Sequence, residues 1–410
     1  MAGRVMKRIF TVTLGILTAV GGFVDVGDLV ANSQAGARYG MRQAWVVVLG
    51  VLCICVYAEM SGRVAVVSGR ATFDLVRARL GPRVALANLA GSYLVTVLTL
   101  AAEIGGVALA LQLASGVPYL IWVPVAGFAV WLVLWRLRFS IMEKVFGIAG
   151  LALVVFTVAL VKLPTDWSAL LGQAVRPAPD GVRYWYLAVA LFASAVSPYE
   201  VLFFSSGAIE ERWTGADLAT ERANALVGFA VGGLLGLSLM ATAAVLFHPT
   251  GADVTTFDQV ARPAAVAFGR IGLAVAILGF FAATFGAALE VGLATGYSTA
   301  QYFGWQWGKF VPPRQAARFH TVVLVSVLLG TVVLLTMVDP IRLTIYMLVL
   351  NAVVLPLTYL PILVVANDRD YLGDRVNGRL ANLLGTVFLV VLVVAAVAAV
   401  PLLVLAGGGG

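Results

Sequence analysis

Apolar runs of about twenty residues, parted by short polar or basic connections, repeat along nearly the whole chain. Each is long enough to cross a hydrocarbon core of about 30 Å as a helix. The pattern predicts eleven spans, over about 9–34, 43–60, 84–113, 117–135, 141–163, 184–205, 223–247, 269–302, 319–338, 341–366 and 380–406. A membrane β-barrel would instead show alternating polarity in segments of roughly ten residues. The fold class is therefore all-α and polytopic. The connections leave no room for a soluble domain, so residues 1–410 read as one transmembrane domain. The basic start M-A-G-R-V-M-K-R resembles a signal-peptide flank, but the run after it ends in acids rather than small residues. It is read as a retained first helix.

Two spans carry polar residues at their centres. The first contains V-D-V-G-D-L, with Asp25 and Asp28 around Gly27, and Gly22 just before. The sixth contains S-A-V-S-P-Y-E, where Pro198 removes a backbone donor and breaks the helix. Matching interruptions five spans apart are the mark of two halves of inverted topology. The expected architecture is a five-plus-five inverted repeat with broken helices 1 and 6. Repeat 1 would cover about 9–163, repeat 2 about 184–366, and an extra helix about 380–406.

Composition agrees: 61% of residues are hydrophobic and 11% charged, with a mean hydropathy of +0.99. A soluble domain carries about a quarter charged residues. The net charge of +7 reports orientation and not nucleic-acid binding. With the N-terminus in the cytoplasm, nineteen of the 27 Lys and Arg fall in inside segments. That arrangement places the C-terminus outside a cytoplasmic membrane. Cys53 and Cys55 lack a second pair and read as small core residues. His248 and His320 fall at span ends.

An ionised Asp at the bilayer centre costs about 2.5–3.5 kcal/mol. Two within four residues, with no basic residue deep in a span, point to a cation drawn from solution. Asp25 and Asp28 stand at i and i+3 and can converge. Unwound backbone beside them adds carbonyl ligands. From span 6, Ser194 and Ser197 offer hydroxyl or carbonyl oxygens, and Glu200 a third carboxylate. Such a hard-oxygen set suits Mg²⁺, Ca²⁺ or Mn²⁺. Glu59, Glu103 and Glu290 are candidates to line a path or relay protons, and Asn351 to line span 10. Closely spaced carboxylates titrate as one unit, which makes a proton a candidate coupling ion. No nucleophile, metal triad or cofactor motif suggests an enzyme. An organic cation or amino acid carried on the same fold is the alternative substrate.

These residues resemble the Nramp family of divalent metal transporters, whose first span carries Asp-Pro-Gly-Asn. Here the motif stands as D-V-G-D, followed by N-S-Q-A-G-A-R-Y-G. A-A-E-I-G-G-V-A-L-A-L, R-F-S-I-M-E-K-V-F and L-P-I-L-V-V-A-N-D-R-D-Y-L-G-D-R-V-N come after it in family order. The resemblance implies eleven spans in a LeuT-type fold, and a metal ion that is the transported substrate, with no cofactor. It implies that Asp25 binds the metal, and that Asp28 stands where the family has a metal-binding Asn. Ser194 matches a carbonyl-donating position. Ser197 and Tyr199 replace the Met and His of the family's Met-Pro-His, and Leu100 replaces an Asp three residues before Glu103. Losing a sulfur and gaining a carboxylate shifts the expected ion toward Mg²⁺ or Mn²⁺ and marks the chain as a divergent, Nramp-related member. The expected partners are the ion and the lipid bilayer, and the expected state is a monomer.

Overall fold

The structure, a computed structural model, describes residues 24–137 and 139–407, with backbone alone for 139–144. The first half of the first predicted span, including Gly22, the side chains of the F-S-I-M-E-K stretch and the last three glycines lie outside the described residues. Helices joined by short connections make up the described chain. The principal ones are α1 (Val26–Tyr39), α2 (Ala44–Ser68), α3 (Thr72–Leu80), α4 (Pro82–Ser115) and α5 (Tyr119–Arg136). The fifth span is α6 (Phe139–Gly150) and α7 (Val154–Lys162), parted by a tight turn, with the short α8 (Trp167–Ala174) after it. Then come α9 (Gly181–Ser194), α10 (Pro198–Glu210), α11 (Leu218–Ala223), α12 (Phe229–Leu246) and α13 (Phe257–Phe303). The chain closes with α14 (Ala317–Leu335), α15 (Pro340–Val365), α16 (Arg369–Leu372) and α17 (Arg379–Leu405).

Ten stretches of the described residues are long and apolar enough to cross a membrane. One of them, Val26–Ser68, joins the rest of the first predicted span to the whole second through a turn at Gly40–Gln43, so ten stretches hold eleven predicted spans. Boundaries differ where buried polar residues hide. The second span runs past its expected end to Ser68 because Arg63 is buried, its guanidinium bonded to Glu59, Asn377 and the Arg375 carbonyl. The eighth begins a dozen residues early, but Gly269, at φ 62°, kinks the helix at the expected start. Only glycine takes that backbone conformation without penalty.

The packing pairs off as a five-plus-five repeat requires. Span 1 (α1) packs on span 7 (α12), and span 6 (α10) packs on span 2 (α2). Likewise α4 of span 3 packs on α15 of span 10, while α13 of span 8 packs on α6 of span 5. The first contact is backbone-close: a Cβ on Gly36 would stand 2.1 Å from the Met240 carbonyl oxygen of α12. Around this centre, α17 and the outer faces of α5 and α14 leave Val394, Val397, Phe128 and Val332 exposed, as surfaces turned to lipid do.

Candidate functional site

The site lies where two helices start inside the bundle. Asp25 is the N-cap of α1: its Oδ1 accepts a hydrogen bond from the Asp28 N–H at 2.9 Å, a favoured use of Asp at this position. The next N–H, that of Val26, donates to both oxygens of Glu103 on α4, at 3.2 and 3.3 Å. Two carboxylates thus meet the positive end of α1. The sixth span breaks at residues 195–197, between α9 and α10, and Pro198 opens α10. The exposed backbone of that break is claimed from α15. Asn351 Nδ2 donates to the Ala193 carbonyl at 2.7 Å and to Ser197 Oγ at 3.1 Å, and the Tyr359 hydroxyl donates to the Val196 carbonyl at 2.9 Å.

The start of α1 touches the break of span 6. Ser194 Oγ, at the end of α9, donates to Asp28 Oδ1 at 2.5 Å, and the Tyr199 hydroxyl donates to Asp25 Oδ2 at 3.4 Å. Gly27 makes the approach possible, since a Cβ there would lie 2.9 Å from Asp25 Oδ1, 3.1 Å from Leu348 and 3.3 Å from Ser194 Oγ. Asp25, Asp28 and Ser194 are fully enclosed. Among the described residues, Asp28 Oδ2 and both oxygens of Glu200 are buried without a hydrogen-bond partner. An orphaned buried carboxylate oxygen is costly, and a cation would satisfy it. Among the described residues, no three His, Cys, Asp or Glu side chains converge as a ready metal cage. An ion between Asp25 and Asp28 would therefore complete its shell with hydroxyls, carbonyls or water.

The structure thus brings Asp25, Asp28, Ser194, Ser197, Tyr199, Glu103 and Asn351 into one network. Glu200 sits in the first turn of α10 and Glu290 on α13, and among the described residues neither joins a metal-holding cluster of three carboxylates. Glu59 is elsewhere. It pairs at 3.0 Å with Arg63 and with Arg222 at the end of the bundle where α2 meets α11. Two residues that shape the site escape the linear reading. Asn32, one turn after Asp28, donates to the Asp28 carbonyl at 3.0 Å. Tyr359 stands eight residues after Asn351, hence on the same helix face, and that spacing was the available signal.

A family model described as natural resistance-associated macrophage protein-like, Nramp, matches residues 15–401. The chain belongs to the Nramp family. Two relatives bear out the breadth of this match. A divalent metal cation transporter MntH of Klebsiella pneumoniae is 26% identical over 389 residues, 90% of this chain and 89% of that one. Another MntH, of Deinococcus radiodurans, is 27% identical over 382 residues, 90% of this chain and 85% of its own. Among solved structures, the Eremococcus coleocola manganese transporter bound to an aromatic bis-isothiourea compound superposes with a TM-score of 0.73 at 15% identity, covering 94% of this chain and 85% of that one. A nucleobase-cation-symport-1 transporter with bromovinylhydantoin bound gives 0.61 at 13% identity, covering 95% and 91%. At such identities the likeness shows the fold. This Nramp protein thus has a LeuT-type inverted-repeat fold, with its sixth span broken at 195–197 and α1 starting at Val26 inside the bundle.

Proposed function

We propose that this Nramp protein is a secondary transporter that moves a divalent metal cation, Mg²⁺ or Mn²⁺ foremost, by alternating access. Its membrane would be the cytoplasmic one, with the N-terminus inside, the C-terminus outside, and the monomer as the working unit. Relatives named as divalent metal cation transporters support the class of substrate. The observation that carries the reading is the buried Asp25–Asp28 pair where the start of α1 meets the break of span 6, with Asp28 Oδ2 unpartnered among the described residues.

In this reading Asp25 and Asp28 are the principal ligands, and their joint charge of −2 matches M²⁺. Ser194 and Ser197 supply hydroxyl or carbonyl oxygens from the second break. Every donor is a hard oxygen, which favours Mg²⁺ and Mn²⁺ over softer ions. Glu103, fixed on the Val26 N–H, holds the start of α1 in place. Glu200, Tyr199 and Glu290 provide a protonatable line beside the ion, while Asn351 fixes the broken backbone that faces it. Glu59, committed to two arginines, belongs to the inner end rather than to the path. The tight surroundings of Gly27 suit a single ion better than an organic cation. The test is uptake into proteoliposomes, scanning Mg²⁺, Mn²⁺, Ca²⁺, Fe²⁺ and Cd²⁺ while lumenal pH is tracked. Entry of Mg²⁺ or Mn²⁺ that Asp25→Ala abolishes supports the reading; entry of no divalent ion refutes it.

A further inference from the structure

A cavity lined by charged residues lies outside the network of Asp25, Asp28 and Ser194. It has a volume of about 370 Å³ and sits between α3, the start of α4 and the end of α13. Arg70, Asp74 and Arg77 line one side, Pro82 the second, and Gln301 with Gly304 the third. Arg70 and Arg77 are exposed, and among the described residues neither forms an ion pair within 4 Å. Arg77 lies over the Tyr302 ring at 5.6 Å, an arrangement that orients its guanidinium and leaves the N–H edge for a ligand. Arg79, on the same helix, is already engaged with Asp368 at 2.7 Å.

The surroundings are those of a membrane boundary. Val84 and Leu86, in the first turns of α4, are exposed, and so is Phe303 beside the cavity on α13. Apolar surface thus begins about one turn past Pro82, in the cavity lining, and at Phe303 next to Gly304. Phe303 stacks on Trp305 at 4.7 Å, and such aromatic groups gather at headgroup level. A ligand that fits must be anionic at one end and apolar at the other. We propose that this cavity binds the headgroup of an anionic phospholipid, with Arg70 and Arg77 holding the phosphate and the acyl chains lying along Val84, Leu86 and Phe303. A phosphodiester carries one negative charge, which matches two arginines offset by Asp74. Burial also pushes the Asp74 carboxyl above its ordinary range, which weakens its hold on the arginines. Basic pockets between membrane helices take headgroups in this way.

The experiment compares lipid retained by the full-length protein after reconstitution with equal phosphatidylglycerol and phosphatidylcholine, re-extraction, and native mass spectrometry. The wild type is expected to retain phosphatidylglycerol at least fivefold over phosphatidylcholine. The Arg70→Gln/Arg77→Gln variant should lose that preference, and Asp74→Asn should strengthen it. Arg318→Gln, which removes a guanidinium stacked on Trp305 outside the cavity lining, should leave it unchanged. Equal retention in wild type and double variant overturns the proposal. Should the double variant not fold, Asp74→Asn decides: unchanged or weaker preference overturns it. Occupation of the cavity by millimolar inorganic phosphate, with no preference between the two lipids, would assign it to a soluble anion instead.

Discussion

In the proposed reading, Asp28 is the residue on which selectivity turns. One oxygen is held by Ser194, and among the described residues the other has no hydrogen-bond partner. Asp28→Asn keeps the shape, removes the charge, and restores the amide that the Nramp motif carries. The expected result is binding of Mg²⁺ weakened at least tenfold, about 1.4 kcal/mol, with a smaller loss for Mn²⁺; calorimetric titration of the purified protein with each ion measures this. Equal losses for both ions would show that the carboxylate does not set the preference. Ser194→Ala withdraws a hydrogen bond to an ionisable group, a loss of about 1.5–3 kcal/mol that thermal unfolding should register. At this scale the sequence was legible for charged residues and silent on direction. Asp25 and Asp28 stood out because carboxylates are rare in apolar runs, whereas nothing in the linear order told that Glu103 would accept the Val26 N–H. That contact joins residues 77 positions apart and depends on how α4 crosses α1.

At the level of helices, the broken span 6 is held open from outside itself. Asn351 and Tyr359, two turns apart on α15, bond the carbonyls of Ala193 and Val196 that a continuous helix would have used internally. Tyr359→Phe removes one such bond, worth about 1 kcal/mol, and leaves the Val196 carbonyl unpaired. Melting should fall by a few degrees, and the uptake rate should fall more than apparent affinity, which initial-rate measurements across ion concentrations would separate. Gly36→Ala tests the other half. Its methyl would collide with the Met240 backbone, so α1 must move off α12, at the upper end of the roughly 1–3 kcal/mol typical of overpacking. Normal melting and yield in that variant would mean that the contact is looser than it looks. Helix existence was readable from hydropathy throughout; the short α3, α8 and α16 were not, since each is too short to register as a span.

Across the whole molecule, the inverted repeat was legible because two interruptions lay five spans apart, and the contacts of α1 with α12 and α10 with α2 repeat that relation in space. What stayed hidden was the wiring of the ends, where long side chains cross between spans. Lys309, in the connection after α13, shows it: burial lowers its amine from the ordinary 10.5 to about 8, against the pull of Glu210, whose carboxylate also accepts the Lys309 N–H. A lysine with a lowered folded-state value penalises the fold while charged, fully below pH 8, and the penalty lifts as pH rises from 8 toward 10.5. Lys309→Met should therefore melt above the wild type at pH 7, with the gap closing by about pH 10; a constant gap would remove the titration from the account. The junction at Asp25, Asp28 and Ser194 has one last implication. The atoms proposed to grip the ion lie at the start of α1 and at the break of span 6, so in that reading the lock and the hinge are a single part. On that reading, a substitution that retunes which ion is chosen would also retune how readily the carrier swings, so that fidelity and turnover number would be inherited together.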